Sequence, residues 1–167
     1  RPFDGSVGAI AVDPDGARAH VTVPVSGRVL TVELDAAAGE PPGVMATVAG
    51  AWGAAFTPTG RLVVVAGAAD RIEVLHEPGS MHETIGGRGL GRREFFLPRG
   101  VAWIPGDGEG GAREAGAETG SLIVVDRGNH RVQLLGPGLG FERAFGSRLY
   151  VEPTLERAGG SDAGGEA

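Results

Sequence analysis

Three short segments of this chain repeat one pattern: Ala, an apolar residue, one variable residue, Pro. They are Ala11-Val12-Asp13-Pro14, Ala55-Phe56-Thr57-Pro58 and Ala102-Trp103-Ile104-Pro105. Their prolines stand 44 and 47 residues apart, and a Gly follows two residues after each of the first two, at Gly16 and Gly60. Pro early and Gly late is the chemistry of a tight turn. After each turn comes a β-branched run: Val21-Thr22-Val23, Leu62-Val63-Val64-Val65 and Leu122-Ile123-Val124-Val125. A small-residue turn then leads to Arg and alternating apolar positions, in Arg28 to Val32, Arg71 to Leu75 and Arg131 to Leu135. That alternation marks strands. A last short strand is expected around Met45 to Val48, Met81 to Ile85 and Phe141 to Phe145.

Four short strands per unit of about 43 residues, separated by turns and without helical periodicity, make an all-β chain of β-propeller blades. Three antiparallel blades are expected, over residues 1–50, 51–87 and 88–152, with a disordered tail at 153–167. The arginines that open the third strands stand 43 and 60 residues apart, so the third unit carries an insertion between its first two strands. Gly106 to Gly120 has the small, acidic, apolar-poor composition of a solvated loop. A cation site through Asp107, Glu109 and Glu114 would lack the Asp-x-Asp-x-Asp-Gly order of a calcium loop.

Composition narrows the chemistry. With 31 Gly and 11 Pro in 167 residues the chain borders on low complexity, but 41% of its residues are hydrophobic and most glycines fall at the periodic turns. There is no Cys, hence no disulfide, thiol nucleophile or cysteine-held metal. All 15 cationic residues are Arg, which excludes a phosphate-loop lysine and a Schiff base. The apolar runs are far shorter than the roughly 18 residues of a membrane span. A net charge of −6 disfavours a general nucleic-acid or anionic-membrane surface. The region around Arg1 has no leader pattern, and the chain is expected to be a piece of a longer protein.

The third unit carries Phe96-Leu97-Pro98-Arg99-Gly100-Val101-Ala102 and, after the insertion, Asp126-Arg127-Gly128-Asn129-His130-Arg131-Val132. These resemble the entry and the turn motif of an NHL repeat, and the resemblance implies a bacterial-type NHL propeller of the six-bladed class. The first two units are degenerate: Val23 and Ala66 stand where Asp126 does, and Ser26 and Ala69 where Asn129 does. Asp126, Gly128, Asn129, His130 and Arg131 are expected to serve the turn, with Asn and Gly taking left-handed backbone, Asp accepting from turn amides and Arg spanning strands, and to offer rim contacts.

Some propellers of this kind are lyases with a histidine-held zinc, and others of related shape are lactonases. His20, His76, His82 and His130 do not recur at equivalent positions, and Asn129 is the only Asn. No catalytic residue, metal or cofactor is therefore expected from this piece. The concentrated basic stretch Arg88, Arg92, Arg93 and Arg99, interleaved with Phe95 and Phe96, is the candidate contact loop. Trp52 and Trp103, near matching strand positions, are expected between blades, as are the two Phe. A binding module for a protein or small ligand is the expected function; a propeller enzyme whose remaining residues lie on other blades is the alternative. An arc of three blades would expose an apolar face at each end and favour self-association.

Overall fold

The computed structural model describes residues 3, 5–37, 39–76, 83–106 and 119–146. Twelve strands form three separate four-stranded antiparallel sheets, each a simple up-and-down meander. Blade 1 holds β1 (Ile10–Val12), β2 (Arg18–Val23), β3 (Arg28–Glu33) and β4 (Gly43–Thr47). Blade 2 holds β5 (Ala51–Phe56), β6 (Leu62–Ala66), β7 (Arg71–Leu75) and β8 (Glu83–Ile85). Blade 3 holds β9 (Gly100–Pro105), β10 (Gly120–Asp126), β11 (Arg131–Leu135) and β12 (Phe141–Phe145). These are blades of a β-propeller, and among the described residues no sheet closes on itself. The first strands are neighbours, with β5 between β1 and β9.

The Pro-to-Gly segments make the expected turns. Gly16 and Gly60 take left-handed backbone, and their amides donate to the Asp13 and Thr57 carbonyls at 3.0 Å. The insertion separates β9 from β10; its residues 107–118 lie outside the described residues, as do residues 77–82, with Met81 and His82, and the expected tail.

Two apolar layers lie between the sheets. Ala11, Val29, Met45 and Val48 of blade 1 meet Leu62, Val64, Ala66 and Leu75 of blade 2. Val63, Ile72, Val74 and Ile85, on the opposite face of blade 2, meet Leu122, Val124 and Leu135 of blade 3, together with Phe95. Successive strand residues point to opposite faces, so β6, covered on both, reads as the uninterrupted run Leu-Val-Val-Val-Ala with every residue fully buried.

One sequence alignment is corrected by the register. Leu62 pairs with Phe56 as Leu122 pairs with Trp103 and Ala19 with Val12, so Trp103 matches Phe56 and Val12, not Trp52. Trp52 stands four residues before Phe56, where the pairing is irregular between Ala51 and Ala54.

Candidate functional site

The turn motif of blade 3 closes on the linker that enters the blade. Asp126, fully buried at the end of β10, accepts the Phe96 amide on Oδ1 at 2.8 Å. Its Oδ2 accepts from Asn129 Nδ2 and Arg131 Nε, each at 2.8 Å, and from Gln133 Nε2 at 3.2 Å. Arg131 then spreads its guanidinium over the carbonyls of Leu90 at 2.6 Å and of Gly91 and Glu94 at 2.8 Å. Asn129 also donates to Gly89 O at 2.8 Å, and Gln133 both donates to Glu94 O at 2.7 Å and accepts the Arg93 amide at 3.0 Å. A buried carboxylate is tolerable here because a guanidinium and three neutral donors surround it.

Within the motif the roles differ from the sequence expectation. The left-handed residue is His130 (φ 52°), while Asn129 lies in a short 3-10 turn spanning Arg127–Asn129. Gly128 is needed for close approach: its amide donates to Phe96 O at 2.7 Å, and a Cβ would strike the Phe96 ring and carbonyl. The backbone amide that Asp126 accepts comes from the linker and not from the turn, and Arg131 spans to the linker.

Sequence comparison of the blades missed Asp70. It stands at the place of His130, shares its left-handed backbone (φ 53°), and accepts the Leu97 amide on Oδ1 at 2.7 Å. Consecutive amides of the linker, Phe96 and Leu97, are thus held by carboxylates from blades 3 and 2. Gln133 likewise has a counterpart in Glu73, buried and joined to Arg71 Nε at 2.6 Å and to Thr84 Oγ1 at 2.9 Å. The only hint in the sequence is an acid beside Arg71, a common surface pairing.

The linker folds back on itself, with Phe95 N donating to Gly87 O at 2.8 Å and Gly89 N to Phe95 O at 3.1 Å. Phe95 is fully buried between blades 2 and 3 and Phe96 is half-buried. Three exposed arginines of the linker lie over aromatic rings: Arg88 over Phe96 at 4.7 Å, Arg92 over Phe141 at 5.3 Å and Arg99 over Trp52 at 3.8 Å from ring centre. Arg93 differs: it is half-buried, with left-handed backbone (φ 61°), and its Nε has no hydrogen-bond partner among the described residues. Arg88, Gly89, Leu90, Phe96 and Asn129 line a shallow hollow of about 190 Å³.

At the opposite end of blades 1 and 2, Asp13, Asp15, Arg18, His20, Met45, Phe56 and His76 are among the residues lining a cleft of about 380 Å³. Asp13 accepts the Arg18 amide at 2.9 Å and its Nε at 2.8 Å. Burial alone would raise the Asp13 pKa, but these Arg18 contacts outweigh it and hold the carboxyl down to about 2. His20 is buried, edge-on to the Phe56 ring at 5.3 Å, with Nδ1 3.2 Å from Thr31 Oγ1; burial lowers its pKa. Sequence reading placed His20 only in a strand, because its neighbours come from β3 and β5. The described residues hold no cluster of three or more metal-ligating side chains. Among the described residues no helix is long and apolar enough to cross a membrane.

The three meanders stacked on apolar layers define a β-propeller-type protein, and solved structures agree. Hydrazine synthase of Kuenenia stuttgartiensis is similar over 81% of this chain and 34% of its own, at 19% identity and a TM-score of 0.55. Virginiamycin B lyase from Staphylococcus aureus is similar over 86% of this chain and 42% of its own, at 12% identity and a TM-score of 0.54. This chain thus spans less than half the length of either. No protein-family model and no curated protein matches it.

Proposed function

We propose that this chain is part of an NHL-type β-propeller acting as a rigid binding module, and that the 86–99 linker, with its arginines, is the contact surface. The observation that carries the reading is the union of a pinned frame with exposed cations. Asp70, Asp126, Asn129, Arg131 and Gln133 hold the linker backbone, while Arg88, Arg92 and Arg99 remain exposed and stacked on rings. A stacked guanidinium keeps its in-plane donors free for a carboxylate or phosphate and loses little rotamer entropy on binding. The partner is accordingly an acidic protein segment or a small anionic ligand. General nucleic-acid binding fits poorly with a net charge of −6.

The test uses a fluorescein-labelled decaglutamate peptide and, separately, citrate, with Trp emission as a second readout because Arg99 covers Trp52. Binding that weakens with salt and falls at least tenfold in the triple variant Arg88→Ala, Arg92→Ala, Arg99→Ala is expected. Absence of salt-dependent binding at millimolar probe sinks the reading.

A second reading, a share of a propeller enzyme, draws support from the cleft, where His20 and the ionised Asp13 lie together. Turnover of lactone or peptidyl-hydroxyglycine substrates that disappears in His20→Gln would favour it over the first.

A further inference from the structure

Among the arginines of the 86–99 linker, one large apolar side chain is held out in water. Leu90 is 61% exposed, yet its backbone is not free. Its carbonyl accepts Arg131 Nη1 at 2.6 Å, the Gly89 carbonyl before it accepts Asn129 Nδ2 at 2.8 Å, and the Gly91 carbonyl after it accepts Arg131 Nη2 at 2.8 Å. A single exposed leucine is ordinary, because most of a folded surface is apolar. A leucine whose neighbours on both sides are tied to blade 3 is presented in one place.

Leu90 stands at the hollow of about 190 Å³, whose lining it shares with Arg88, Gly89, Phe96 and Asn129. The Phe96 ring there is as firmly fixed. Gly128 packs so closely against it that a Cβ would strike it, Asp126 holds its amide at 2.8 Å, and the Arg88 guanidinium lies over it at 4.7 Å. The result is an apolar seat with a cation at its rim. Size narrows what fills it: small-molecule pockets run from roughly 300 to 1,000 Å³ and enclose most of the ligand. This hollow is smaller and shallow, and it suits one large side chain.

Charge narrows the occupant further. The linker sets four arginines against one glutamate, and Glu94, whose carboxylate lies against Gly89, is engaged by the Gly91 amide at 2.8 Å. We propose that the hollow receives one large aliphatic side chain of an acidic protein segment, whose flanking carboxylates meet Arg88 and Arg92. This rests on the contact surface assigned above to the linker arginines and adds selectivity to it. Exposed cations attract any acidic chain and weaken with salt, whereas the seat at Leu90 is filled only when an apolar residue stands among the acids. A small polyanion such as citrate leaves that seat empty. Burial of apolar surface does not depend on opposite charge, so the two contributions are separable.

The probes are fluorescein-labelled polyglutamate peptides of equal length and charge that carry one central leucine or one central serine, titrated by anisotropy against the whole chain. The leucine peptide is expected to bind about tenfold tighter, and the ratio to persist as salt weakens both. Leu90→Ser leaves the backbone bonds of the linker in place and is expected to keep the wild-type urea midpoint. It should bring the leucine peptide down to the affinity of the serine peptide and leave the serine peptide unchanged. Equal, salt-dependent binding of the two peptides by the wild-type chain overturns the proposal and leaves the arginine surface standing. A leucine advantage that survives Leu90→Ser overturns it as well, as does binding to phosphatidylglycerol vesicles that Leu90→Ser abolishes, which would place an acyl chain in the hollow. Binding of neither peptide removes the arginine reading and this one together.

Discussion

At the scale of single residues, the structure turns on a few carboxylates placed where backbone amides would otherwise be unpaired. Asp126 serves four donors and neutralises a guanidinium that is only 8% exposed. Asp126→Ala leaves that cation without its counterion, and the expected cost is about 3–5 kcal/mol in urea denaturation. Asp70 offers a milder comparison because it accepts one linker amide and, among the described residues, no buried cation depends on it. Asp70→Ala is expected to cost about 1–3 kcal/mol, and Asp70→Asn much less, since the amide oxygen can accept the same bond and Asn tolerates left-handed backbone. Asp13 sets an acid limit on blade 1. Its folded pKa lies near 2, below the ordinary 3.8, so its contribution is full above that ordinary value and is lost as pH falls toward 2. Stability followed from pH 5 to pH 2 should therefore drop less steeply in Asp13→Asn than in the wild-type chain.

At the scale of elements, the strands were legible from residue type and turn chemistry. Arg71-Ile72-Glu73-Val74 alternates charged and apolar residues although all but Arg71 are buried, and Pro14 and Pro58 with their following glycines mark real turns. What was not legible is what crosses between elements. Asp70 escaped notice because it occupies the place of His130 and not that of Asp126, and only the folded linker brings Leu97 to it. The surroundings of His20 come from residues 11 and 36 positions away, which no local pattern announces. Trp52 and Trp103 invite a match by residue type, whereas the register follows the Ala-x-x-Pro pattern, which sets Phe56 against Trp103. Phe95 joins these levels: it belongs to the linker yet fills the layer between blades 2 and 3. Phe95→Ala should cost about 3–5 kcal/mol, read from the urea midpoint at constant slope.

At the scale of the whole molecule, three blades stack on two shared apolar layers. Rigidity is what such a frame offers a binding surface, because loops held in one conformation lose little entropy when a ligand arrives. The arginines of the 86–99 linker can work as a preformed surface only if the linker is locked to both blades. Amide hydrogen exchange of Phe96 and Leu97 in the intact chain measures that lock directly. Protection comparable to that of the fully buried Val124 and Leu135 is expected, falling at Phe96 in Asp126→Ala and at Leu97 in Asp70→Ala. Exchange of both amides at the rate of an open loop would contradict the pinned linker and the binding surface built on it.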